Sequence, residues 1–428
     1  PYIITDLGTL PGGISSSANA INNSGQIVGS SSGPSFGEHA FRYVNGVMTD
    51  IGTLPGASNS IAYGINASGQ IVGVSNPNGN EGHAFLYVNG VMTALPLPGS
   101  GSSIATGIND SGQIVGSSAG AFLYANGVMT ALDMFAASAI NASGQIVGTS
   151  FVGNERHSFL YTNGVMTDLG AVSTWGFPES LATAINAGGQ IVGNAYAAGG
   201  SADGARFHPF LYANGVMTDL GALGDNCDTK ATGINASGQI VGTAMKECSN
   251  NIATGGFLYS GGKMVDLSSL LPANSGWTQL AANAINDFSQ IVGSGTINGQ
   301  IHAFLMSDSA ITLITHYYTS ILGRTPDAGG LAFWKNQITQ AQANGQDVKP
   351  IFREMAVQFF NSPEYLANNT SNTEFITNLY RTFFQREPDS AGIAFWLNQL
   401  AIGVTRNAAM SGFLYSNEFT TFMQSLGF

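Results

Sequence analysis

One short pattern constrains this chain more than anything else in it. Ile-Asn-x-x-x-Gln-Ile-Val-Gly occurs seven times, starting at Ile21, Ile65, Ile108, Ile140, Ile185, Ile234 and Ile285. Each copy is followed by an Ala-Phe-Leu-Tyr-like run centred on Phe41, Phe85, Phe122, Phe159, Phe210, Phe257 and Phe304. Asn-Gly-Val-Met-Thr-Asp-Leu or a close variant comes next, as at Asn45, Asn89, Asn126, Asn163 and Asn214. The spacing averages about 44 residues, the length of a four-stranded propeller blade.

Each unit reads as four strands: A (Ala-x-Gly-Ile-Asn), B (Gln-Ile-Val-Gly), C (His-Ala-Phe-Leu-Tyr) and D (Val-Met-Thr-Asp-Leu). Asn-x-Ser-Gly between A and B, and Asn-Gly between C and D, supply residues that accept positive φ in tight hairpins. Strands B and C are apolar on consecutive residues, as sheets covered on both faces require. The seventh unit stops at Met306 without a strand D, and Tyr2-Ile-Ile-Thr-Asp-Leu7 matches the missing piece. The expected fold is an all-β seven-bladed β-propeller over residues 1–308, closed by its N-terminal strand. Closure removes two exposed sheet edges.

Charge excludes several partners. Only 9% of residues are charged and the net charge is −12. Residues 1–308 hold 6 basic against 17 acidic side chains, so nucleic acid, which needs basic clusters, is not an expected partner. An anionic membrane surface is disfavoured for the same reason. No apolar run reaches about 20 residues, so no membrane span is expected. The start at Pro1, directly before a strand pattern, fits a mature product whose signal peptide has been removed.

These repeats resemble the bacterial extracellular family named for its His-Ala-Phe (HAF) motif. The resemblance covers residues 1–308 and implies a secreted bacterial protein; it implies no activity.

From about Ser309 the apolar period becomes helical, and roughly six short helices are expected over 309–428. A second repeat lies here: Arg324-Thr-Pro-Asp-Ala-Gly-Gly-Leu-Ala-Phe-Trp334 recurs as Arg386-Glu-Pro-Asp-Ser-Ala-Gly-Ile-Ala-Phe-Trp396. In both, Asp is placed to cap a helix. Phe333, Trp334, Phe395 and Trp396 are expected mostly in the domain's own core. This region resembles the 4214 domain-of-unknown-function family of bacterial surface and secreted proteins, itself similar to phycobilisome linker domains. That implies a helical interaction or assembly module and assigns no functional residue.

Candidate chemistry is sparse. His39, His83, His157, His208 and His302 occupy one repeat position, but a ring spreads them apart, and Gly120 and Gly255 fill the slot in the third and sixth units. A structural hydrogen-bonding role is expected rather than a metal site. The repeated Gln residues (Gln26, Gln70, Gln113, Gln145, Gln190, Gln239, Gln290) are read as satisfying buried backbone at turns, not as lining a channel. Asn-x-Ser at Asn66 and Asn235 matches glycosylation acceptors but is read as turn chemistry. No nucleophile elbow, phosphate loop or His-Glu-x-x-His is present, so no catalytic residue, metal or cofactor is assigned.

The A–B and C–D turns are short and nearly identical, whereas the B–C and D–A loops on the opposite face carry the variation. Binding usually sits on variable loops of a rigid scaffold. Trp175, Phe177, Tyr196, Arg206, Phe207 and Trp277 are the candidate ligand-binding residues there. The only two cysteines, Cys227 and Cys248, flank the sixth A–B hairpin. A two-residue turn at Ser237-Gly238 would place them opposite each other as a disulfide, implying an oxidising compartment.

Together these features favour a secreted non-catalytic binding or structural protein, including a self-assembling surface, matrix or filament subunit. Expected partners are further copies of the chain, another cell-surface component or a glycan. The alternative is a propeller enzyme acting on extracellular polysaccharide, which needs a converging carboxylate pair in the channel.

Overall fold

The computed structural model describes residues 2–76, 81–96, 101–170, 179–197, 206–224, 228–245 and 255–428. The side chains of Ala197, Arg206 and Ala328 lie outside that description. Among the described residues are seven four-stranded antiparallel sheets, the blades of a β-propeller. In blade 1 the strands run Ser15–Ile21, Ile27–Gly33, Gly37–Val44 and Val47–Gly52, in spatial order A-B-C-D. Blades 2 to 6 repeat this over 59–94, 104–131, 136–168, 180–219 and 229–266. Blade 7 is Thr278–Ile285, Ile291–Ile297 and Gln300–Asp308, with Tyr2–Gly8 hydrogen-bonded outside the last of these. The ring closes as the truncated seventh repeat predicts.

The repeated residues explain the blade. Strand A carries a register shift in all seven blades, for example between Ala18 and Ala20. That bulge drives a strand A carbonyl against the Gly of Ile-Val-Gly. A Cβ on Gly29 would lie 1.9 Å from the Ser17 carbonyl oxygen, so only glycine fits there. The C–D hairpins are turns with two positive φ values, as at Asn45 (51°) and Gly46 (85°), which match the strand twist. The strand C phenylalanines Phe41, Phe85, Phe122, Phe210, Phe257 and Phe304 are fully buried at the seams between blades. Burying each stabilises by roughly 1.5–3 kcal/mol.

The A–B turn differs from expectation. The Asn235 amide donates to the Gln239 carbonyl and the Gly238 amide to the Asn235 carbonyl, so three residues, not two, lie inside it. The strand A bulge then shifts the register again, giving Thr229↔Ala244 beyond it. These shifts remove the register argument for pairing Cys227 with Cys248. Both cysteines lie outside the described residues.

The C-terminal region is all-helical, with eight helices rather than six: α1 Ser309–Leu322, α2 Ala328–Ala343, α3 Lys349–Phe360, α4 Pro363–Leu366, α5 Asn372–Phe384, α6 Ser390–Ala401, α7 Arg406–Leu414 and α8 Asn417–Ser425. The chain forms two compact units, Ile4–Met306 and Ser307–Phe428 with the first residues of the chain.

The helical repeat is now legible. Asp327 and Asp389 cap α2 and α6 by accepting from the Gly330 and Gly392 amides. The Tyr318 and Tyr380 hydroxyls press on those glycines; a Cβ on either would lie 2.2 Å from the oxygen. Arg324 and Arg386 stack on the same tyrosines and pair with Glu364 and Glu418. The aromatic pairs split, contrary to the expectation of a shared core. Trp334 is 3% exposed, whereas Phe333 and Phe395 are 57% and 55% exposed. Adjacent helical positions point about 100° apart, so burying the Trp turns its neighbour outward.

Candidate functional site

The face formed by the A–B turns is defined by a closed ring of asparagines. Asn22, Asn66, Asn109, Asn141, Asn186, Asn235 and Asn286 are all buried. Each side-chain amide donates to the backbone carbonyl of its counterpart in the next blade, from Asn22 through to Asn286 and back to Asn22. The distances are 2.9–3.1 Å. Each Nδ2 also donates to the Gln four residues on, as Asn109 does to Gln113 at 2.8 Å. Each Oδ1 accepts the backbone amide of that Gln, as from Gln113 at 3.0 Å. The Asn therefore satisfies the turn and stitches the blades together, while the Gln fixes the orientation of its amide. Asn66 and Asn235 belong to this ring, so neither presents a free amide for glycosylation in the folded protein.

The repeated histidines occupy a different place. His39, His157, His208 and His302 each place Nδ1 2.8–3.1 Å from Asp50, Asp168, Asp219 and Asp6 respectively. A carboxylate only accepts, so Nδ1–H donates. The aspartates also accept backbone amides two residues on, at Gly52, Gly170, Gly221 and Gly8. Burial alone would raise Asp219, but the bonds from His208 and the Gly221 amide outweigh it and hold the carboxyl below its ordinary value. These pairs tie strand C to the end of strand D in blades 1, 4, 5 and 7. Among the described residues, no three His, Cys, Asp or Glu come together as a metal site would require.

The variable face gives a mixed outcome for the candidate residues. Tyr196 and Phe207 sit directly opposite each other on strands B and C of blade 5, their rings stacked at 4.2 Å. Lys230 of blade 6 lies 4.9 Å from the Phe207 ring centre. Asp228 accepts the Phe207 amide at 3.0 Å and faces the Lys230 ammonium at 3.6 Å. The same seam one blade earlier carries Arg156 forked onto Glu179, next to an exposed edge-to-face pair, Phe135 and Phe151. Sequence reading missed Lys230 and Asp228; the signal was Lys230 at the start of strand A, where the other six repeats carry neutral residues, and Asp228, whose counterpart in blade 5 is Glu179. Trp277 is a correction: it is 8% exposed and packs on Phe304 and over Gly295, within blade 7's core. Arg206 lies on strand C beside Phe207, without a described side chain. Trp175 and Phe177 lie outside the described residues.

Residues 356–423 match the family described as Domain of unknown function (DUF4214). The match runs from α3 to α8 and contains the second motif, Arg386–Trp396, not the first. No curated protein matches the chain. Among solved structures, a puromycin-hydrolyzing peptidase of Mycobacterium tuberculosis is 10% identical, with a TM-score of 0.43 over 68% of this chain and 52% of the peptidase. This chain thus spans about half the peptidase's length. Trypanosoma rangeli sialidase is 11% identical, with a TM-score of 0.32 over 73% of this chain and 59% of the sialidase. An Aleuria aurantia lectin is 10% identical, with a TM-score of 0.24 over 68% of this chain and 94% of the lectin. Scores this low transfer no chemistry. No described helix is long and apolar enough to cross a membrane.

Proposed function

We propose that this is a secreted, non-catalytic binding protein of the bacterial cell surface or matrix, with a propeller that engages a glycan or surface component and a helical domain that mediates assembly. The observation that carries the binding role is the aromatic stack of Tyr196 and Phe207, flanked by Lys230 and Asp228 on the variable face. Partly buried aromatic rings beside a cation and a carboxylate suit polyhydroxylated or mixed polar–apolar surfaces. The extracellular setting is supported by the likeness of the seven repeats to the His-Ala-Phe family. The assembly role is supported by the linker-like resemblance of the helical region and by the outward Phe333 and Phe395, placed alike in both motif copies. Head-to-tail docking of such a domain on a neighbouring copy builds an open filament.

A glycan array and a surface-retention assay should compare the native chain with Phe207→Ala and Tyr196→Ala. Both substitutions are expected to abolish retained binding while leaving the thermal transition nearly unchanged; undiminished binding in both would reject the site. Light scattering and electron microscopy of the full chain against residues 1–308 test assembly. Equal monomeric behaviour of the two over a wide concentration range, with unchanged surface retention, would reject that role.

A further inference from the structure

One blade seam breaks the repeat. Six blades carry leucine after the strand C phenylalanine: Leu86, Leu123, Leu160, Leu211, Leu258 and Leu305. Five of these pack partly buried against seam clusters, and Leu258 is buried. Blade 1 has Arg42 instead. The cluster between blades 1 and 2 accordingly contains Val28, Ile51, Ile71 and Phe85 but no such leucine.

Arg42 has no carboxylate partner among the described residues, and its Nε is buried without any hydrogen bond. Its guanidinium reaches the A–B turn of blade 2, where a Cβ on Gly69 would lie 3.5 Å from Arg42 Nη2. Around it is a cleft of about 160 Å³ lined by Arg42, Val44, Val47, Thr49, Ile51 and Tyr87. An unpaired buried guanidinium nitrogen is unfavourable, and native structures rarely leave one without a partner. By contrast, Arg156 and Lys230, on the propeller's variable face, are both paired.

We propose that the Arg42 cleft is a binding site for a small monocarboxylate with a compact apolar body. A carboxylate seated end-on across Nη1 and Nη2, the guanidinium nitrogens that are not buried, would pair the charge that the protein leaves without a carboxylate. Val44, Val47, Ile51 and the Tyr87 ring would take the body, and the Tyr87 hydroxyl offers a further donor. An apolar cavity of roughly 150 Å³ holds a benzene-sized molecule, so benzoate and isobutyrate are matched probes. Apolar walls disfavour a fully hydrated phosphate, which must keep most of its water. The site is independent of the variable face.

Calorimetric titration of the full chain with benzoate, at constant ionic strength, tests the assignment, with benzamide as neutral isostere and phosphate as a general anion. Benzoate is expected to bind and to raise the Tm in proportion to the logarithm of its concentration, while benzamide and phosphate do neither. Arg42→Leu restores the seam leucine, so it should fold at least as stably and lose benzoate affinity by at least about tenfold. Arg42→Lys keeps the charge without the fork and should also weaken binding, which covers the case of a misfolded leucine variant. Tyr87→Phe should weaken it by a smaller factor. Benzoate binding that survives both Arg42 substitutions, equal binding of phosphate, or no carboxylate binding at millimolar concentration would each overturn the proposal.

Discussion

The propeller and the helical domain are both built from internal repeats, yet they distribute their residues differently. In the propeller, positions shared by all copies serve architecture: the ring asparagines, the strand B glycines and the seam phenylalanines are nearly all hidden. Its candidate chemistry sits where copies differ, at Arg42, Tyr196, Phe207 and Lys230. In the helical domain the two copies share buried and exposed residues alike, since Phe333 and Phe395 point outward from the same motif. A ring of seven must present compatible seams to every neighbour, so shared positions are consumed by closure. Two copies within a helical domain face no such demand, and a shared surface residue can persist for another reason. Stability should therefore track the shared positions in the propeller, and binding the unshared ones.

The strongest way to break that comparison is to open the ring. Deleting residues 1–8 removes the outer strand of blade 7, the Asp6 partner of His302 and the buried Leu7, which packs with Leu10, Phe41, Val292 and Ala303. It leaves Gln300–Asp308 as a bare edge, prone to pairing with other chains. The expected loss is at least ~10 °C in Tm, several kcal/mol on the usual scale for domains, with aggregation on heating. A truncated chain melting with the parent would show that closure contributes nothing.

A single shared residue should matter next. Asn109→Ala removes both donations, to Gln113 Oε1 and the Asn141 carbonyl, and strands the Gln113 amide. Unmaking buried bonds of this kind costs about 1–3 kcal/mol for each group left unpaired, so a loss of roughly 2–4 kcal/mol is expected in urea unfolding. Phe151→Ala, at an unshared exposed position, is the control and should cost much less. Equal losses would erase the distinction between shared and unshared positions.

Much of this was legible in the sequence because closure and blade number depend on counting repeats, and a period of about 44 residues survives any local error. The four strands, their order and the role of Tyr2–Gly8 followed from residue type alone. What failed depends on geometry that residue type does not show. Asn-x-Ser-Gly read as a two-residue turn because residue type does not show that the Asn pairs with the Gln four residues on, which leaves three residues inside the turn. The same omission misplaced the register toward Cys227 and Cys248. Trp277 looked like a loop aromatic until Phe304 and Gly295 were seen beneath it. The helical region was under-counted because α4 is only four residues long and α7 and α8 only nine each, too short for a clear period. Arg42 was visible as a departure from Ala-Phe-Leu-Tyr, but only the cleft gives it meaning.

The smallest expected effect separates the two regions by pH. His316 of α1 donates from Nε2 to the Arg381 and Thr382 carbonyls of α5, at 3.2 and 3.0 Å. Burial lowers its pKa below the ordinary 6.5, and the two carbonyls, which favour the charged form, only partly offset this. The folded helical domain therefore binds this proton less readily than the unfolded chain does. Its contribution is fully present above about 6.5, and it declines as pH falls from there toward the lowered folded value. Helical-domain amides should thus exchange faster at pH 5.5 than rate-corrected exchange at pH 7.5 predicts. His316→Gln keeps an N–H for the same carbonyls but cannot titrate, so the part of the acid sensitivity due to this site should vanish. Amide-resolved exchange on the full chain reads both domains at once. If the helical amides of His316→Gln show the parent's acid response, the buried imidazole is not its source.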